Sequence, residues 1–121
     1  MSTEERIEAF YTAFNRRAID AVLAELAADV DWPNGWEGGR IAGREAVREY
    51  WLRQWAAIDG RVEPVEITLD ADGRWRVLVH QVVRAPDGAL LADEHVQHVY
   101  TFRGGLVERM DIEPVAGGAG A

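Results

Sequence analysis

The hydrophobic period of this chain changes once, near Asp59-Gly60. Before that point apolar residues recur every three or four positions. Ile7, Phe10, Tyr11 and Phe14 share one helical face, Ile19, Val22, Leu23 and Leu26 a second, and Val47, Tyr50, Trp51, Trp55 and Ile58 a third. After it Val65, Ile67 and Leu69 alternate, and the runs 75–84 and 96–102 have strand composition between turn signals at Asp72-Gly73, Asp87-Gly88 and Gly104-Gly105. Helices first and a meander of strands afterwards specify an α+β layer, a curved and mostly antiparallel sheet with three helices on one face. Ser2 and Glu5 have capping-box spacing for the first helix, which should end around residues 15–17. The third helix should run from about Arg44 to Ile58. Residues 27–32 read as a lead into the turn-rich segment Pro33-Asn34-Gly35-Trp36-Glu37-Gly38-Gly39.

A chain of 121 residues suits one domain, expected over 1–116, with 117–121 as a frayed tail. There is no cysteine, which removes disulfides, thiolate metal sites and a cysteine nucleophile. The net charge of −8 argues against nucleic acid and anionic membrane surfaces as partners. No apolar run approaches a membrane span, and the first residues are acidic where a signal peptide is basic, so a cytoplasmic location is the expectation. No cofactor is expected.

The chemistry concentrates near the C-terminus. If Gly104-Gly105 is a two-residue hairpin loop, Arg103 faces Leu106, and counting outward sets His98 directly opposite Asp111. Their Cβ atoms would lie roughly 4.5–5.5 Å apart. A turn centred on Asp87-Gly88 likewise sets Val77 opposite His98 and Val79 opposite Val96. The face shared with His98 then holds Trp75, Val77, Val79, Gln81, Val83, Tyr100 and Phe102, the more apolar side and hence the inner one. On that count His98, Arg109, Asp111 and Glu113 all look inward, which is costly unless they pair or meet a wet cavity. A bulge in either turn would change this register. His80 and His95 oppose each other on the outer face, where surface or dimer-interface residues are a better reading than metal ligands.

Phe10-Tyr11-Thr12-Ala13-Phe14-Asn15, Asp20-Ala21-Val22-Leu23, Trp32-Pro33-Asn34, Gly43-Arg44-Glu45-Ala46-Val47 and the stretch from His98 to Val107 resemble the SnoaL-like branch of the nuclear-transport-factor-2-like superfamily. The resemblance spans about Glu4 to Glu113. It implies a cone-shaped α+β barrel with a deep apolar pocket, commonly a homodimer through the sheet. Ketosteroid isomerases, in the same superfamily, use a helix-1 tyrosine, a carboxylate base before the proline and a protonated aspartate on the third long strand. Those positions here are Phe10, Trp32 and His98, three departures from the pattern. SnoaL-type polyketide cyclases place a histidine on that strand and an aspartate on the last one, which His98 and Asp111 match.

The expected function is therefore proton transfer on an apolar carbonyl compound by a small cofactor-free enzyme: an isomerase, cyclase or lyase. Asp111 serves as acid/base with His98 as its partner. Tyr11, Trp32, Asn34, Trp51, Trp55, Tyr100 and Arg109 are the expected substrate-binding residues. The alternatives are a module of the same fold that only binds a hydrophobic ligand, and a scaffold whose pocket is filled by tryptophan.

Overall fold

Ser2 accepts a hydrogen bond from the Glu5 backbone, and the Glu5 side chain accepts one from the Ser2 backbone, so the expected capping box starts the first helix. The computed structural model describes residues 2–115, and the tail expected over 117–121 lies outside them. Helix α1 (Thr3–Asn15) buries Ile7, Phe10 and Tyr11, and α2 (Ile19–Leu23) is a short second turn. Strands β1 (Leu26–Pro33) and β2 (Arg40–Ala42) precede α3 (Arg44–Ala57), which buries Val47, Tyr50 and Trp51. The chain then lays down β3 (Asp59–Leu69), β4 (Trp75–Arg84), β5 (Leu90–Arg103) and β6 (Leu106–Glu113).

These strands form one six-stranded sheet in the order β2-β1-β6-β5-β4-β3, antiparallel except where β1 runs parallel to β6. The α+β class, with three helices and a mostly antiparallel sheet, is as the period change indicates. No helix among the described residues is long and apolar enough to cross a membrane. Two elements differ from the sequence reading: residues 40–42 form a strand that it leaves unassigned, and residues 26–33 form another, whereas Leu26 reads as helical and residues 27–32 as a lead into a turn. Exposed Ala28 and Asp29 break the alternation, and the β1–β6 register itself shifts between Leu26 and Asp31. The strand is held by pairing on both sides, which a local period cannot report.

Strands β4 and β5 pair as counting from Asp87-Gly88 requires, with Val77 opposite His98, Val79 opposite Val96 and His80 opposite His95. Gly104 and Gly105 both have positive φ, 59° and 83°, as a two-residue hairpin loop needs. Arg103 faces Leu106 and Phe102 faces Val107, but Thr101 then faces Arg109. Glu108 is a bulge, one extra residue in β6. Beyond it every side chain changes face: Met110 and Ile112 oppose Tyr100 and His98, while Asp111 opposes Val99. The expected pairing of His98 with Asp111 is thus overturned, and so is the inward placement of Arg109.

On the outer face the charges neutralise one another. Arg109 grips Asp111 at 3.0 Å and reaches Asp31 at 2.9 Å, and Arg40 joins Asp31 at 2.6 Å and Asp111 at 3.3 Å. Arg76 joins Asp70 and Glu113, at 3.1 and 2.8 Å. The His80 and His95 rings stack on this face, 4.8 Å apart, with His80 Nε2 2.6 Å from Asp93.

Because an L-residue pays for a left-handed backbone, Gly105→Ala should lower unfolding free energy by about 1–2 kcal/mol in urea titrations. An unchanged midpoint would show that the loop does not hold the hairpin.

Candidate active site

Helices α1 and α3 stand over the inner face of β4, β5 and β6 and enclose a cavity of about 450 Å³. Its walls are aromatic because both helices send their apolar stripes inward: Phe10, Tyr11 and Phe14 from α1, Tyr50, Trp51 and Trp55 from α3. The tryptophans both fill and line. Trp32 and Trp51 meet edge to face at 5.3 Å, and Trp51 stacks on Trp55 at 6.2 Å. What these rings leave between them and the sheet is the cavity.

The polar floor lies where α1 crosses β5. Tyr11 Oη is 2.8 Å from His98 Nδ1 and 2.7 Å from Tyr100 Oη. All three side chains are buried, and His98 is the one buried charged or polar residue among the described core. Burial pushes the His98 imidazole down from 6.5 to about 4, so the ring is neutral at physiological pH. Burial also raises both phenols, Tyr11 further through its neighbour Tyr100, so both keep their protons. Nδ1 is engaged by Tyr11, which leaves Nε2 as the ring nitrogen free to meet a ligand.

Of the residues expected from sequence, His98, Tyr11, Tyr100, Trp32, Asn34, Trp51 and Trp55 line this one cavity. Asn34 is occupied locally, accepting from the Glu37 backbone at 2.7 Å and donating to its carboxylate at 3.0 Å. Asp111 reaches only the rim. Its hydrogen bond to Arg109 holds its carboxyl below the usual range against the opposing effect of burial, with Arg40 adding to the pull. An ionised carboxylate held by two guanidinium groups is a poor proton carrier, and it makes no hydrogen bond to His98. Arg109 lies outside the cavity. The sequence reading missed Gln81 and Glu94 at the rim, although its own β4–β5 register places them opposite each other on the inner face.

The sequence profile of the SnoaL-like domain matches residues 7–110. The chain belongs to the SnoaL-like domain family. Among solved structures this SnoaL-like chain resembles an NTF2-like protein of unknown function from Burkholderia pseudomallei, with 28% identity, a TM-score of 0.80, and 93% of this chain and 91% of that one covered. TerC, co-crystallized with polyporic acid, is 27% identical with a TM-score of 0.78, over 91% of this chain and 88% of that one. A proposed polyketide cyclase from Sinorhizobium meliloti shares the fold at 22% identity and a TM-score of 0.76, over 93% of this chain and all (100%) of that one. No curated protein matches the chain in sequence.

The neutral His98 carries a pH signature. Between pH 6.5 and about 4 the unfolded chain takes up a proton that the folded ring refuses. Stability is therefore intact above this window and falls as pH falls through it, by about 3 kcal/mol at its lower end. Urea melts across that range should show this slope in the native protein and a shallower one in His98→Gln. Identical slopes would mean that His98 is not held neutral by the fold.

Proposed function

We propose that this SnoaL-like domain is a cofactor-independent enzyme that moves a proton between carbon and oxygen of an apolar carbonyl compound, as an isomerase or cyclase does. The observation that carries the reading is the continuous hydrogen-bonded chain from Tyr100 through Tyr11 to His98, at 2.7 and 2.8 Å, whose two ends both belong to the cavity lining.

That chain has two proton arrangements. In one, His98 Nδ1–H donates to Tyr11, Tyr11 donates to Tyr100, and Tyr100 Oη–H is free to donate to a ligand oxygen while Nε2 offers a lone pair. In the other, every proton has moved one place, and Nε2 carries a proton while Tyr100 accepts. Starting from the first, Nε2 takes a proton from the carbon next to the carbonyl. The Nδ1 proton passes to Tyr11, that of Tyr11 to Tyr100, and that of Tyr100 to the carbonyl oxygen. The C–H electron pair becomes the C=C bond of an enol. Where that enol is conjugated with a second C=C, Nε2 gives its proton to the far end of the diene. The enol O–H proton meanwhile returns through Tyr100 and Tyr11 to Nδ1, so the C=O re-forms and the isomerisation is complete.

This route answers the main objection to His98 as a base. An imidazole that burial holds near 4 is a weak base if it must become imidazolium. In the relay the ring loses one proton as it gains another, stays neutral, and never meets the desolvation cost of a buried charge. Asp111 has no part in it. TerC, co-crystallized with polyporic acid, gives support from a relative that holds a small molecule.

The test is hydrogen–deuterium exchange at the acidic carbon of 2-tetralone in D₂O, followed by NMR. The native protein should accelerate exchange, and His98→Gln and Tyr11→Phe should each lose roughly 10²–10⁴-fold. Asp111→Asn should retain exchange per folded molecule while melting at a lower temperature. Binding of flat ketones without exchange would favour the alternative, a module that only carries a hydrophobic ligand.

The homodimer belongs to the same proposal. Leu78 and Val82 are half-buried on the outer sheet face, and a second copy would cover them. Light scattering at micromolar concentration should give twice the chain mass, and a monomer would overturn this part.

A further inference from the structure

Most acidic side chains near the sheet are gripped by arginine, but Glu94 is not. It forms no ion pair among the described residues, and its one hydrogen bond is a long one, 3.3 Å from Gln81 Nε2. It is also on the side of the sheet where carboxylates are scarce. The inner face of β5 runs Glu94, Val96, His98, Tyr100, and all four line the cavity. Gln81, directly across on β4, lines it too. Along its β4–β5 wall the cavity therefore has two polar stations separated by Val96, the relay at its floor and the Gln81–Glu94 pair at its rim. Glu94 and His98 are four positions apart along the strand, a span of about 13 Å at roughly 3.3 Å per residue.

We infer that Gln81 and Glu94 determine specificity: they select an elongated, mainly apolar carbonyl compound that carries a hydroxyl or amino donor at the end far from its reacting carbonyl. This rests on the proton-transfer reading, which fixes the carbonyl end at Tyr100 and His98. Four features define the class. A carboxylate accepts hydrogen bonds and has none to give, so the distal group must be a donor. The 3.3 Å contact with Gln81 is readily exchanged for a ligand, since Glu94 is exposed at the mouth. An anionic distal end is refused twice, by Glu94 locally and by the net charge of −8 at longer range. A cavity of about 450 Å³ holds a rod or sheet of two to three rings.

Three probes of one length separate the possibilities: 4-acetyl-4′-hydroxybiphenyl, its methyl ether, and 4′-acetylbiphenyl-4-carboxylate, each titrated calorimetrically. The native protein should bind the hydroxyl compound about five- to tenfold more tightly than the ether, a charged hydrogen bond reduced by exposure, and the carboxylate least well. Glu94→Ala should bind hydroxyl and ether alike. Glu94→Gln should keep part of the hydroxyl preference and admit the carboxylate. Equal binding of hydroxyl and ether by the native protein, or a preference that survives in Glu94→Ala, overturns the inference.

Exchange of the acetyl protons in D₂O reads the floor independently in the same samples. A hydroxyl preference without exchange sinks the proton-transfer reading and leaves the recognition pair standing. Exchange without preference does the reverse, and failure of all three probes to bind overturns both.

Discussion

Tyr11 is the joint on which the molecule turns. Its hydroxyl, carried by the first helix, is the shared partner of two groups on the middle of the sheet, and all three are shut away from water. Any one of them alone would be a buried polar group with an unmet hydrogen bond, at a cost of about 1–3 kcal/mol. Together they satisfy one another, but only when α1 lies across β5 at the observed distance. Helix docking and site assembly are therefore one event. The ring contacts of Phe10 with Tyr11, Tyr100 and Trp32 lock the same crossing from its apolar side.

The sheet separates two kinds of electrostatics. Its outer face carries ionised groups in mutual contact, Asp31 and Asp111 with Arg40 and Arg109, and Asp70 and Glu113 with Arg76. The buried floor of its inner face carries groups that are polar but neutral, two phenols and an imidazole. Proton movement inside such a cavity favours steps that create no net charge, and this is why a relay suits the site better than a single strong base.

Much of this was legible in the sequence. Period separates the three helices from the strands that follow Asp59-Gly60, and the Asp87-Gly88 turn sets the β4–β5 pairing and hence the face that His98, Tyr100 and Val77 share. Tyr11, Trp51 and Trp55 are candidates because aromatic residues on an inward stripe either fill or line a space, and Trp32 because the family resemblance puts its turn at the pocket entrance. What failed had specific causes. The strand at residues 26–33 is made by pairing with β2 and β6, and its own residues do not alternate. Asp111 was assigned to the wrong face because counting assumes one residue opposite one, and Glu108 breaks that rule without any glycine or proline to announce it. The Tyr11 contact needed a helix placed in three dimensions, since 87 residues separate it from His98.

The bulge at Glu108 also bears on how such a site can change over generations. With the same hairpin loop and the same residues, a straight β6 would turn Asp111 toward His98 and Met110 toward solvent. The step from a neutral floor to one holding a carboxylate beside the imidazole thus requires no new side chain. A backbone irregularity is the heritable variable, and substitutions that favour or disfavour it around residue 108 shift the chemistry of a cavity whose lining they never touch. Divergence of reaction among chains of this fold can in this way proceed through strand register, with the visible catalytic residues left in place.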